Sequence, residues 1–111
     1  MKTKKWTNHF SDIKNEYVKS YNIPAGGTID TGISGIKLLL FSSIMITGTS
    51  LLVLTYAYGN LIRIGSASEV FSINNETGSY FLIYQDTNSY TIKIKNNHTE
   101  SLSIEVEVLN L

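Results

Sequence analysis

Apolar and polar residues alternate most regularly near the end of the chain. Every second residue is apolar from 90 to 94 and again from 102 to 108. A period of two places these side chains on one face of a β-strand, so each segment predicts a strand with one buried and one solvated face. The polar segment 97–100 between them predicts a hairpin. On the solvated face of this hairpin, two lysines would lie opposite or diagonal to two glutamates: Lys93 and Lys95 against Glu105 and Glu107.

Shorter strand patterns occupy the middle of the chain. Segments 61–64, 69–73 and 79–85 contain apolar, β-branched and aromatic residues, and clusters of turn-forming residues separate them. Short strands at near-regular spacing are typical of a sandwich or a barrel. The predicted fold class is therefore all-β: an antiparallel, jelly-roll-like β-sandwich.

An uncharged stretch of 21 residues from 38 to 58 allows two interpretations. It is long enough to cross a bilayer as a helix. Seven of its residues are Ser, Thr or Gly, however, and a Thr-Gly-Thr-Ser segment at 47–50 lies at its centre, where a spanning helix is most apolar. Strands at 37–46 and 51–58, joined by a turn at 47–50, account for both features. The favoured interpretation therefore has no membrane partner, and a membrane helix at 38–58 stays as an alternative.

The two strands predicted within this stretch are apolar at both even and odd positions. Both of their faces are therefore expected to be buried. A sandwich of 111 residues has one core, so the second face needs cover from the N-terminal segment or from another subunit. We expect a homo-oligomer whose interface contains Leu39, Phe41, Leu52 and Leu54.

The first twenty residues differ in composition from the rest. They hold five of the nine basic residues and the single tryptophan. A sharp turn follows at Pro24, where proline restricts φ and the next two glycines permit positive φ. We expect residues 1–20 to be an anchoring segment and residues 21–111 to be the sandwich domain. The candidate anchoring side chains are apolar: Trp6, Phe10, Ile13 and Tyr17.

Composition argues against several classes of function. Nine basic and nine acidic residues give a formal net charge of zero, which predicts no nucleic-acid partner. Cysteine is absent, so disulfides and thiolate chemistry are excluded. His9 and His98 are the candidate bases at neutral pH, and neither lies in a catalytic motif. We expect no enzymatic activity, no cofactor and no metal site.

Seven tyrosines give the chain a possible binding chemistry. An exposed aromatic ring can stack on a sugar ring or on a protein partner. A tyrosine can also pack at the end of a strand with only its hydroxyl in water, which is a purely structural role. The candidate ligand contacts form two pairs: Tyr56 with Tyr58, and Tyr80 with Tyr84.

The segment 21–33, YNIPAGGTIDTGI, resembles the openings of small β-sandwich domains in head fibres, tail fibres and related virion proteins of tailed phages. The later layout is similar too. An apolar strand at 35–41 and another at 51–58 precede an I-x-I-x-N strand, which ends at Asn96 and is followed by a polar turn and an alternating last strand. The resemblance covers roughly residues 20 to 111.

This resemblance implies a homotrimeric knob on the virion surface, attached to a capsid or tail protein through its N-terminal segment. The chain has no repeat, coiled coil or collagen-like shaft, so a short head fibre or capsid-decoration protein is expected rather than a complete receptor-binding fibre. The first alternative is a carbohydrate-binding adhesin domain whose tyrosines contact a host-surface glycan. The second is a small membrane protein.

Overall fold

The computed structural model describes residues 15–43, 46–66 and 70–109, which form nine strands in two facing sheets. The five-stranded sheet has the order β1-β9-β3-β4-β5, and the four-stranded sheet has the order β2-β8-β7-β6. The predicted all-β sandwich is confirmed. The strands are β1 Asn15–Ile23, β2 Thr28–Asp30, β3 Leu38–Ser43, β4 Ile46–Leu54, β5 Ile62–Ser66, β6 Phe71–Ile73, β7 Phe81–Gln85, β8 Ile92–Asn96 and β9 Leu102–Leu109.

The pairing of the strands is antiparallel except between β6 and β7, which run parallel. The first strand pairs with the last in one sheet, and the second strand pairs with the penultimate strand in the other. Strands β3, β4 and β5 form a meander beside β9. The chain therefore crosses between the sheets several times, and its first and last strands lie in the same sheet.

The core lies between the inner faces of the sheets. Alternation along β9 buries Leu102, Ile104, Val106 and Val108, as the sequence pattern predicts. On the neighbouring strands β6 and β7 of the four-stranded sheet, the rings of Phe71 and Phe81 stack with centroids 5.8 Å apart. The other fully buried large side chains come from both sheets: Phe41, Ile23, Leu39, Leu51, Ile83, Ile92, Ile94 and Val53.

The hairpin predicted between the last two strands is wrong. Strand β8 pairs with β2 and β7, whereas β9 pairs with β1 and β3, so the two strands lie in different sheets. Their solvated faces consequently point to opposite sides of the sandwich. Lys93 forms an ion pair with Asp86, with Nζ 3.6 Å from Oδ1, instead of lying opposite a glutamate of β9. A period of two determines which face of a strand is buried but not which strand is its neighbour.

The turn predicted at 47–50 is also misplaced. Strand β3 ends at Ser43 and β4 begins at Ile46, so the polar segment continues the strand. The pairing shifts from Ser42 opposite Ser50 to Ser43 opposite Ile46, and this irregularity absorbs the extra residues of β4. Threonine is well suited to strands, which is why a polar segment does not mark the reversal here.

In the described part of 38–58, residues 38–43 and 46–54 are strands and residues 55–58 form a loop, so the alternative of a membrane helix in this stretch is wrong. Within the three described ranges, no helix is long and apolar enough to cross a membrane.

The sandwich begins earlier than the boundary predicted at residue 21. Strand β1 starts at Asn15 and pairs with β9 along its length, from Asn15 opposite Leu109 to Ile23 opposite Leu102. Tyr17 therefore belongs to the sandwich, where it pairs with Val108. The other predicted anchoring residues, Trp6, Phe10 and Ile13, lie outside the described residues.

Candidate functional site

The outer face of the five-stranded sheet carries a row of apolar side chains across four adjacent strands. Leu109 of β9 pairs with Leu38 of β3, which pairs with Leu54 of β4, which pairs with Ile62 of β5. Directly paired residues share a face, so these four side chains are neighbours on the side away from the core. Ile62 is 41% exposed, and the three leucines are half-buried.

Polarity increases along the strands away from this row. In the next row, Leu40 and Leu52 pair with each other, and Leu40 also pairs with Glu107. In the row after that, Ser42 lies between Ser50 and Glu105. We call the apolar end of this surface the apolar outer face, and it consists of Leu38, Leu40, Leu52, Leu54, Ile62 and Leu109.

Half of the interface predicted from the sequence is wrong. Leu39 and Phe41 are fully buried in the core of the chain, so a second subunit cannot reach them. Leu52 and Leu54 lie on the apolar outer face, as an interface requires. The alternation of β3 already separated Leu38 and Leu40 from Leu39 and Phe41. Only the sheet order shows that β9, β3, β4 and β5 bring their outward residues into one row.

The four tyrosines predicted as ligand contacts do not form the two expected pairs. Tyr56 and Tyr58 lie in the loop after β4 rather than in a strand, and they are 41% and 74% exposed. Tyr84 is half-buried in β7. Tyr80 is 40% exposed at the opposite end of β7, where its ring centroid is 4.8 Å from that of His98.

Tyr58 instead lies beside Tyr90, whose place in the alternating segment 90–94 predicts a buried side chain. The ring centroids are 6.2 Å apart and the planes are tilted by 58°. Tyr90 precedes β8, has a positive φ of 60°, and is 48% exposed. The alternation from 90 to 94 does not predict the exposure of Tyr90, because a change in backbone conformation reverses the direction of a side chain without altering the sequence pattern.

Gln85 joins the two loops that carry these tyrosines. Its Nε2 donates to the carbonyl oxygens of Tyr56 at 3.1 Å and Ala57 at 3.2 Å in one loop, and of Tyr90 at 3.1 Å in the other. The loop after β4 comes from the five-stranded sheet, whereas Gln85 ends β7 of the four-stranded sheet. This one amide therefore holds the Tyr58–Tyr90 pair across the end of the sandwich.

A row of hydroxyls and carboxylates adjoins Tyr90. Thr91 Oγ1 donates to Asp30 Oδ2 at 3.0 Å and lies 2.6 Å from Ser89 Oγ. Ser89 in turn donates to Asp86 Oδ2 from its backbone N–H at 3.0 Å and from its hydroxyl at 2.9 Å. These hydrogen bonds from the Ser89 backbone and hydroxyl, helped by the charge of Lys93, hold the pKa of Asp86 below its ordinary value.

His98 contributes to a turn at the other end of β8. Its Nδ1 accepts the backbone N–H of Glu100 at 3.2 Å, and its own N–H donates to Asn96 Oδ1 at 2.8 Å. Among the residues the structure describes, no group of three or more His, Cys, Asp or Glu side chains is arranged to hold a metal ion.

No protein-family model matches this chain. No curated protein matches it either. Among solved structures, it is similar to the tailspike protein of the Acinetobacter phage vB_ApiP_P1, with a TM-score of 0.37 and 17% identity. The similarity covers 86% of this chain and 20% of the tailspike chain, so this chain spans about a fifth of the tailspike's length.

Proposed function

We propose that this chain is a structural protein of a bacteriophage virion, a short head fibre or capsid-decoration protein rather than an enzyme. In this proposal it forms a homotrimer through the apolar outer face. Its N-terminal segment attaches the trimer to a capsid or tail protein, which places it on the particle surface. The proposal combines the sandwich fold with the sequence resemblance to phage virion proteins, and the apolar outer face is the observation that carries it.

A contiguous apolar surface on a sheet favours association because its side chains gain by leaving water. Burying one leucine or isoleucine completely is worth about 1.5 to 3 kcal/mol relative to full exposure, and the half-buried side chains of this face would gain part of that each. Six such side chains lie together, and a contiguous apolar patch marks an interaction surface. The adjacent row of Ser42, Ser50 and Glu105 would form the polar edge of the interface.

The matched pair of variants Leu52→Lys and Ser50→Lys tests self-association. Both residues lie on the outer face of β4, two positions apart, and both substitutions add the same charge. Leu52→Lys would bury a charge in the proposed interface, so it should dissociate the oligomer, whereas Ser50→Lys at the polar edge should leave it assembled.

Sedimentation equilibrium at micromolar concentration measures this directly. The wild type and Ser50→Lys should have three times the chain mass of 12.4 kDa, and Leu52→Lys should have the mass of one chain. A monomeric wild type, or a Leu52→Lys variant that remains a trimer, would contradict the proposal.

Deleting residues 1–14 tests attachment to the particle. The deletion stops before Asn15 and so retains the whole of β1 and its pairing with β9. We expect a folded trimer that no longer joins particles during infection, measured by quantifying the protein in purified virions. Normal incorporation of the truncated chain would exclude Trp6, Phe10 and Ile13 as anchoring residues.

A further inference from the structure

Tyr90 has a backbone conformation that its side chain disfavours. Its φ of 60° lies in the left-handed region, which glycine and asparagine tolerate and which is an outlier for a bulky aromatic residue. The surrounding turn imposes this conformation. The N–H of Tyr90 donates to the Asp86 carbonyl at 2.9 Å, and the N–H of Asp86 donates to the Thr91 carbonyl at 2.9 Å. A glycine would meet these constraints without steric cost.

Asn74 is the other non-glycine residue with positive φ in the described ranges, and its side chain accounts for it. The Asn74 amide accepts the Leu61 N–H at 2.8 Å and donates to the Leu61 carbonyl at 3.0 Å, so it fastens the start of β5. The side chain of Tyr90 makes no comparable hydrogen bond within the described structure. About half of its surface is in water, and its aromatic contact is with Tyr58, which is more exposed still.

We propose that Tyr58 and Tyr90 form a binding site for a neutral carbohydrate, with the strained backbone of Tyr90 retained because it presents the ring to a ligand. Strained residues cluster at ligand sites and active sites, and they persist only where the surrounding structure holds them in place. Here Gln85 supplies that support by fixing both loops, so the two rings are positioned before a ligand arrives. Tilted aromatic faces offer apolar surfaces on which the C–H side of a sugar ring can rest.

The polar groups beside Tyr90 suit the hydroxyls of a sugar. Ionised carboxylates accept several hydrogen bonds, and Asp30 accepts one from the Gly32 N–H at 2.8 Å and one from Thr91. Its capacity to accept more would be used by sugar hydroxyls. The carboxylates of Asp30 and Asp86 also disfavour a ligand with negative charge, although Lys93 offsets part of the charge of Asp86. The site therefore favours neutral sugars over uronic or sialic acids.

Binding of the full chain to immobilised oligosaccharides tests this site. The probes are neutral oligosaccharides of glucose, galactose, mannose and N-acetylglucosamine, together with oligosaccharides that contain uronic or sialic acid. The variants are Tyr58→Ala and Tyr90→Asn, since asparagine tolerates positive φ. Tyr80→Ala is the matched control, because Tyr80 is similarly exposed but lies at the opposite end of β7.

We expect saturable binding of at least one neutral probe, with affinity reduced about tenfold or more by Tyr58→Ala and by Tyr90→Asn and unchanged by Tyr80→Ala. The melting temperature of Tyr90→Asn should equal or exceed that of the wild type, because the substitution relieves strain. Absence of binding to every neutral probe, equal binding by the variants, or a lower melting temperature of Tyr90→Asn would each overturn the proposal. The readouts are independent of trimer formation, so they can fail without the proposed virion function failing.

Discussion

Replacing Asn96 with alanine should remove a hydrogen-bonded link between the two sheets. Asn96 ends β8 in the four-stranded sheet and is fully buried. Its Nδ2 donates to the carbonyl of Ile23, in β1 of the other sheet, at 2.9 Å, and to the carbonyl of Glu100 at 2.8 Å. Its Oδ1 accepts the N–H of His98 at 2.8 Å. The amide thus fastens the end of β1 to the loop that carries the chain from β8 to β9.

The expected loss follows from what each partner does without the amide. The Ile23 carbonyl is buried, and leaving a buried acceptor unpaired costs about 1 to 3 kcal/mol. The Glu100 and His98 groups are only partly buried, so water can replace the amide and each loses about 0.5 to 1.5 kcal/mol. Asn96→Ala should therefore lower the free energy of unfolding by about 2 to 6 kcal/mol, a large share of the roughly 5 to 15 kcal/mol of a typical domain.

Equilibrium urea denaturation measures this loss, with Asn97→Ala as the control. Asn97 is the next residue, is exposed, and uses its backbone N–H rather than its side chain to bond the Tyr80 carbonyl. Its substitution should change the free energy of unfolding by less than about 0.5 kcal/mol. If Asn96→Ala costs no more than Asn97→Ala, the amide does not hold the sheets together and the reasoning fails.

Two further predictions concern polar contacts of different burial. Thr55→Val should lower the free energy of unfolding by about 1 to 3 kcal/mol. The fully buried Thr55 hydroxyl donates to the Gly35 carbonyl at 2.7 Å and accepts the Lys37 N–H at 2.9 Å, and valine can make neither hydrogen bond. Thr55→Ser keeps the hydroxyl, so it should retain most of the stability in the same urea assay. The lowered pKa of Asp86 contributes stability that is present above the ordinary aspartate pKa of about 3.9 and is lost as pH falls through the lower folded value. The difference in melting temperature between the wild type and Asp86→Asn should therefore be larger at pH 6 than at about pH 2, with the wild type more stable. An equal difference at both pH values would contradict a stabilising role for the ionised Asp86 carboxylate.

The Asn96 amide also shows what a motif can and cannot indicate. The I-x-I-x-N pattern correctly placed two buried isoleucines and an asparagine on one strand face. A buried asparagine needs partners, but its partners are backbone groups more than seventy residues away in one case and four residues away in another. Every residue has a backbone carbonyl, so no local sequence pattern indicates which distant carbonyl accepts a hydrogen bond from the Asn96 amide.

The exposed position of Tyr90 could not be predicted from the sequence for a similar reason. Its place in an alternating segment predicted a buried side chain, and the turn that begins at Asp86 reverses it into solvent. Tyr58 then becomes its neighbour through the Gln85 amide, which joins loops 28 and 5 residues away along the chain. Residue propensities cannot predict the Tyr58–Tyr90 pair, because it depends on hydrogen bonds from the Gln85 side chain to backbone carbonyls in two separate loops.

For this protein, the sequence by itself determined the all-β class and the inward or outward direction of most strand residues. Those features depend on local backbone geometry and on a period of two, both of which are written in neighbouring residues. Only the tertiary structure decided which strands are neighbours, and hence that β8 and β9 belong to different sheets and that Leu38, Leu54, Ile62 and Leu109 form one row. Strand pairing depends on backbone hydrogen bonds that any residue except proline can make, so many pairings satisfy one pattern and the packing of the whole core selects among them.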